Sequence, residues 1–312
     1  MLSFIFRRLC VAVPTLFIIV TITFFLIRLA PGGPFSLERP LEAKVMENLN
    51  RLYNLDKPLW EQYLLYLNGL IRGDFGPSFI MRDFSVNELF RIGLPNSVLL
   101  GSCALSLAIL FGISFGTIAA FRQNSPIDYM VTGIATFGIT VPPLVVAPLL
   151  QLIVLIPTFY GGAALMSISW GGESFRWSNL ILPVIALSLP QIAVVARMTR
   201  AAMIETLRSN HIRTMRSMGL PAGIIVKHAL RGAILPVVSY LGPAAAALLT
   251  GSLVIEVIFS VPGIGRYFVE AALNRDYTLT MGTVVVVAIF VLLFNLIVDV
   301  LYALLDPRVR LD

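Results

Sequence analysis

Six stretches of the chain run without an Asp, Glu, Lys or Arg: 9–27, 92–121, 129–172, 177–196, 232–255 and 277–298. Crossing a hydrocarbon core of ~30 Å takes about 20 helical residues, so each stretch holds one membrane-spanning helix. The third is the longest but stays strongly apolar only to about Pro157. Its tail carries Gly161, Gly162, Gly171 and Gly172 with Ser167 and Ser169, and reads as a loop. The pattern predicts an all-α, polytopic membrane protein with six transmembrane helices.

Between the first two spans lies a polar segment, 31–93, with seven basic and eight acidic residues. Within it, 41–55 and 58–71 show helical apolar spacing. Leu49, Leu52 and Tyr53 form one stripe, and Trp60, Tyr63, Leu64 and Leu67 form another. Two readings stand side by side: a small helical cap on the membrane domain, and a docking surface for an external partner.

Composition agrees with the pattern. Hydrophobic residues make up 57% of the chain and charged residues 13%, about half the charge of an ordinary soluble domain. A soluble enzyme, a disulfide scaffold and a disordered chain are excluded. The net charge of +6 matters through its placement. Arg7 and Arg8 precede the first span. The connection between the fourth and fifth carries Arg197, Arg200, Arg208, Arg213, Arg216, Lys227 and Arg231 against Glu205 alone. By the positive-inside rule that connection and both termini are expected on the cytoplasmic side, and the first span is not a cleaved signal. The basic balance therefore points to lipid, and not to nucleic acid. Cys10 and Cys103 lie far apart in apolar stretches and read as small buried hydrophobes.

Catalytic chemistry is not in view. None of the three lysines follows a glycine, so the usual phosphate-cradling loop is missing. Gly112-Ile113-Ser114-Phe115-Gly116 matches the GxSxG of serine hydrolases, but it sits mid-span without a histidine partner. The same glycines read as GxxxG, a helix-packing motif. His211 and His228 are far apart with no acid cluster, so no metal site is expected.

Three features carry information. Glu256, late in the fifth span, and Asp299, late in the sixth, are ionisable groups at or near membrane depth. Such groups are costly there and are candidates for a transport path or for partners of arginines at helix ends. Eight prolines fall inside spans: Pro14, Pro142, Pro143, Pro148, Pro183, Pro190, Pro236 and Pro243. Each removes a backbone donor and bends its helix. Third, in the basic connection a short segment, 211–218, ends at Gly219 with Pro221 two residues on, a helix stop. A helix that short is only marginally stable alone and needs a surface to rest on, either lipid headgroups or a cytoplasmic partner.

At this point the chain resembles the membrane subunits of ATP-binding-cassette importers. These carry a cytoplasmic motif close to EAAxxxG with a later Leu-Pro. Here Arg213-Thr214-Met215, Gly219 and Leu235-Pro236 lie in that order, with Arg-Thr-Met in place of Glu-Ala-Ala and a longer gap. Both departures agree with the peptide branch of the family. The same branch is matched by Ala30-Pro31-Gly32-Gly33-Pro34, Gly73-Asp74-Phe75-Gly76, Glu256-Val257-Ile258-Phe259, Pro262-Gly263-Ile264-Gly265, Asn274-Arg275-Asp276-Tyr277 and the end from Asp299 to Arg308.

The resemblance implies a type I importer permease of a bacterial inner membrane, without enzymatic activity or bound cofactor of its own. A homologous second membrane subunit would enclose the path with it. Two cytoplasmic ATPases would hold ATP and magnesium, and a periplasmic binding protein would deliver oligopeptides. Arg213, Thr214, Met215, Arg216, Gly219 and Leu220 would form the ATPase-coupling helix within a coupling loop, 200–232. Glu256, Pro262, Gly263 and Asp276 are the candidates for path or gate. The implied organisation is a first helix in 1–30, a periplasmic helical insert in 31–93 and a five-helix core in 94–312. Alternatives are an importer of dipeptides, nickel or glutathione and, from another class, an ion-coupled secondary transporter; the latter expects inverted repeats with midplane acids.

Overall fold

The computed structural model describes residues 2–29, 33–35, 43–81, 83–161, 169–170 and 177–305. Of the motifs above, Ala30 to Gly32, most of the glycine-rich tail at 160–172 and Asp306 to Arg308 lie outside them. Regular structure among the described residues is helical apart from an isolated bridge between Pro77 and Ser85. The first helix, α1 (Leu2–Leu29), leads into the two insert helices, α2 (Ala43–Leu52) and α3 (Leu59–Ile71). The bundle follows with α4 (Val86–Phe121), α5 (Pro126–Thr140), α6 (Pro143–Phe159) and α7 (Ser178–Leu207). After a short α8 (Asn210–Ser217) come α9 (Ala222–Leu249), α10 (Leu253–Ile258), α11 (Ile264–Leu273) and α12 (Tyr277–Leu305).

Among these residues α1, α4, α7, α9 continued by α10 (Ala222–Ile258) and α12 are long and apolar enough to cross a membrane, and α5 with α6, taken as one broken span, makes six. The third span is therefore not the single helix its charge-free run suggests. It bends by 107° between Thr140 and Pro143. Val141 is pushed to an extended conformation (φ −81°, ψ 119°) by the proline that follows it, and neither Pro142 nor Pro143 can donate to the preceding turn. The other intraspan prolines leave their helices continuous.

Boundaries also shift. The helix of the second span starts at Val86, inside the segment assigned to the insert. A capping box starts it: Ser85 Oγ accepts from the Glu88 N–H (3.2 Å), and Glu88 Oε2 accepts from the Ser85 N–H (2.8 Å). Charged residues do not end α7 or delay α9, so the expected coupling loop, 200–232, narrows to the residues between Leu207 and Ala222.

α7 is the most enclosed long helix. It packs along α4 and is flanked by α5, α6 and α9, while α12 joins α9 to α1. Glycines permit the closest approach. A Cβ on Gly112 would lie 2.6 Å from the Val195 side chain, and one on Gly116 would lie 2.5 Å from the Ala196 carbonyl oxygen. The GxxxG reading holds, and Ser114 merely returns its hydroxyl to the Leu110 carbonyl (2.6 Å) on the exposed side. Leucine at Gly116 must push α4 away from the α7 backbone. A loss of about 3 kcal/mol, the upper range for overpacking, is expected as a lowered thermal midpoint in detergent. Leucine at Ser114 should leave that midpoint unchanged, and equal midpoints for the two variants would refute the packing role.

The insert folds onto the ends of α1 and α12. Phe24 is fully buried against Tyr63 and Tyr66, and the Arg28 guanidinium lies 3.8 Å above its ring while Nε donates to Gln62 (2.9 Å). Of the anticipated stripes, Leu49 and Tyr53 turn inward with Phe35 and Phe79. Leu52 at the end of α2 stays exposed, as do Trp60 and Leu64, because Gln62, Tyr63 and Tyr66 supply the inner face of α3. Cys10 is exposed and not buried: its helix face points out of the bundle, where apolar surroundings would come from lipid or another chain.

Candidate functional site

The six residues expected at a coupling helix sit on and just beyond α8. Its amphipathic face is rooted by Ile212, fully buried in a cluster with Met203 and Leu207 of α7 and Ile225, Ala229 and Ala233 of α9. Met215 and Leu220 pack against the same cluster. Arg213, Thr214 and Arg216 are exposed, as is Met218. Gly219 ends the helix at φ +74°, the left-handed conformation glycine adopts without strain. The result is a short helix held firmly from behind that presents a basic, apolar-tipped face outward. Ile212 carries the attachment and was not singled out from the sequence; its i, i+3 spacing to Met215 was the available signal.

The acids differ in the partners they find. Glu256 lies late in the fifth span, Ala222–Ile258, but that span is interrupted: α9 ends at Leu249, and the chain turns through Gly251 (φ +97°) into α10, which carries the acid. Its side chain is fully buried and, among the described residues, meets no arginine head group. Ser97 Oγ donates to Oε1 (2.7 Å), and the Arg266 N–H donates to Oε2 (3.1 Å). The same Ser97 Oγ accepts from the Ile264 N–H (2.9 Å). Three glycines give the carboxylate its room: a Cβ on Gly251 would lie 2.5 Å from Oε1, one on Gly265 2.9 Å from Oε2, and one on Gly263 would overlap Oε2 outright. Asn96 Nδ2 donates to the neighbouring Pro262 carbonyl (3.0 Å). Glu256, Pro262 and Gly263 thus converge on one closed cage joining α4, α10 and α11, facing into the chain.

Asp276 is elsewhere. It caps α12, accepting from the Leu279 N–H at Oδ1 (3.1 Å). Its Oδ2 gathers Ser78 Oγ (2.5 Å) and the N–H groups of Phe79 (3.0 Å) and Ile80 (3.3 Å). This buried carboxylate therefore pins the end of the insert to the start of α12. Asp299, in contrast, does pair with an arginine, Arg8 (3.1 Å), across α12 and α1.

One pair escaped the sequence reading altogether. Asp128, 1% exposed near the start of α5, takes a forked ion pair from Arg200 of α7: Nε to Oδ1 at 2.5 Å and Nη2 to Oδ2 at 2.8 Å. The Asn124 N–H adds a third bond (2.9 Å). A separation of 72 residues hid it, although Ser125-Pro126 followed by an acid is a readable helix start. Among the described residues no cluster of His, Cys, Asp and Glu could hold a metal ion.

A family model described as "Binding-protein-dependent transport system inner membrane component" matches residues 112–311, and its N-terminal companion matches residues 1–79. The chain belongs to this family. Among relatives of this permease, the oligopeptide transport system permease protein OppB of Escherichia coli (strain K12) is 50% identical over 313 residues, covering 99% of this chain and all of that protein. Its namesake in Haemophilus influenzae is 48% identical over 311 residues, covering 99% of this chain and all of that protein. The dipeptide transport system permease protein DppB of Bacillus subtilis is 40% identical over 315 residues, spanning all of this chain and 99% of its own length. The permease is thus a multi-pass membrane protein of a binding-protein-dependent transport system. Its α8, Glu256 and Asp276 lie within the larger family-model match, whereas Ile80, Asn96 and Ser97 fall between the two family models.

Proposed function

We propose that this permease is one of two homologous membrane subunits of an ATP-driven importer that carries oligopeptides from the periplasm to the cytoplasm. The observation that carries the reading is α8: a short helix too small to stand alone, rooted by Ile212 and offering Arg213, Thr214 and Arg216 to a partner. In this reading α8 seats in a cytoplasmic ATPase, ATP and magnesium reside on two such ATPases, and the chain performs no hydrolysis and binds no cofactor. Both termini then lie in the cytoplasm of a bacterial inner membrane. The insert, 31–93, faces the periplasm, where exposed Leu52, Trp60 and Leu64 suit a peptide-binding protein. The 50% identity to an oligopeptide permease supports the substrate class. The 40% identity to a dipeptide permease favours a second reading, short dipeptides as cargo.

The test is purification of the tagged chain in mild detergent with its bound proteins, followed by reconstitution in liposomes. A second six-span protein, two ATPases and uptake of tri- to pentapeptides that needs ATP are expected. Uptake confined to dipeptides selects the second reading, and transport by the isolated chain without ATP overturns both. Within the complex, Gly219→Pro should reduce uptake to background while the chain still inserts, since proline is locked near φ −65° and cannot take φ +74°. Gly219→Ala, with open space around its Cβ, should cost only ~1 kcal/mol and keep most uptake. Normal uptake by the proline variant would remove α8 from the coupling role.

A further inference from the structure

We propose that Asp128 and Arg200 are positioning residues that form the joint through which displacement of α8 reaches the bent α5–α6 pair. The inference rests on the reading of α8 as the coupling helix.

The geometry runs as one connected series. α8 is fixed to the end of α7 through Ile212, Met203 and Leu207. Arg200 stands one turn before Met203 on that same helix end and grips Asp128 with two parallel bonds. Asp128 lies in the first turn of α5, and through the Asn124 N–H it also holds the turn that joins α4 to α5. A second, exposed strut, Arg208 to Gln123 (3.3 Å), crosses at the same level. The far end of α5 is the 107° elbow, and beyond it α6 reaches α10, where Gln151 Nε2 donates to the Ile258 carbonyl (3.3 Å). α10 carries Glu256 and its cage.

An ion pair at this place needs a reason other than stability. Apolar side chains of similar volume would hold the two helices at this point as well or better, because desolvating two charges offsets most of their attraction. What a forked guanidinium–carboxylate pair adds is direction: both ends are fixed in distance and in angle. An apolar contact would let α5 slide on α7; this pair makes the first turn of α5 follow the last turns of α7. The elbow then converts that movement into a swing of α6, because a helix broken at two consecutive prolines bends there before it bends elsewhere.

The test uses the complete complex in proteoliposomes and reads peptides imported per ATP hydrolysed. Asp128→Asn keeps the volume and removes the charge. It should keep ATP hydrolysis and lower the import ratio about tenfold, within the range that coupling-network mutations reach. Arg200→Lys keeps the charge but makes a point contact in place of the fork, and should lower the ratio severalfold. An unchanged ratio, or uptake and hydrolysis falling in step, overturns the proposal. If Asp128→Asn fails to assemble, Arg200→Lys alone decides by the same criterion; if neither assembles, the pair is a folding determinant and the proposal falls. Should the wild-type complex show no ATP-dependent uptake, or Gly219→Pro import normally, the importer reading itself has failed, separately from this joint.

Discussion

Alanine at Gly263 is expected to destabilise the assembled permease by about 3 kcal/mol, because its methyl group would occupy the position of Glu256 Oε2. The carboxylate cannot step aside, being held at one oxygen by Ser97 Oγ and at the other by the Arg266 N–H. Glu256→Ala should cost a similar ~3 kcal/mol for a different reason, leaving those buried donors without an acceptor. The two losses should not add. With Glu256 shortened to alanine, the Gly263 methyl group still meets Ser97 Oγ at 2.6 Å, but that hydroxyl has lost its carboxylate acceptor and can turn aside, so the double variant should lose less than the sum of the two. Thermal midpoints of the four proteins in one detergent check this. Fully additive losses would mean that the glycine serves its own loop and not the carboxylate.

The second large effect concerns Asp276. Its removal strips a cap from α12, worth ~1 kcal/mol, and leaves donors of residues 78–80 unmatched, for a total of about 3 kcal/mol. Asparagine should do nearly as badly. Backbone donors face both carboxylate oxygens, and an amide offers an acceptor on one side only. The damage should be local: limited trypsin digestion is expected to cut after Arg72 much faster in Asp276→Ala and Asp276→Asn than in wild type, with the bundle fragments intact. Equal cutting rates would show that the insert is held chiefly by its aromatic contacts around Phe79 and Tyr277.

Much of this architecture was legible from charge alone. Charge-free runs located the spans, since every membrane-spanning helix needs about 20 residues with few ionised groups. The glycine-then-proline stop after Met218 located α8, because a left-handed C-terminal residue is a local requirement. The elbow between α5 and α6 was not legible. Pro142 and Pro143 announce a weak point, but whether a helix kinks or turns by 107° depends on what α7 and α10 offer on either side. The partners of Glu256 were not legible for a related reason. An acid late in an apolar run suggests an arginine partner at a helix end, whereas its partners are a serine of α4 and a backbone N–H of α11. Backbone donors carry no sequence signature. Only the glycines at 251, 263 and 265 hinted at a group needing room, and they become meaningful once the turn brings them together.

α4 has a consequence of a mechanical kind. Its 36 residues measure about 54 Å at 1.5 Å per residue, well beyond a hydrocarbon core of about 30 Å. The surplus is not idle: Val86, Leu89 and Phe90 are buried against α11 and α12 at the insert end, while Ala120 at the other end joins the cluster that roots α8. One continuous helix, with Pro95 inside it, therefore has one tip packed against α11 and α12 beside the insert and the other in the cluster behind α8. It links the two ends of the molecule as an oar links blade and handle, with the proline as the place where the shaft can flex.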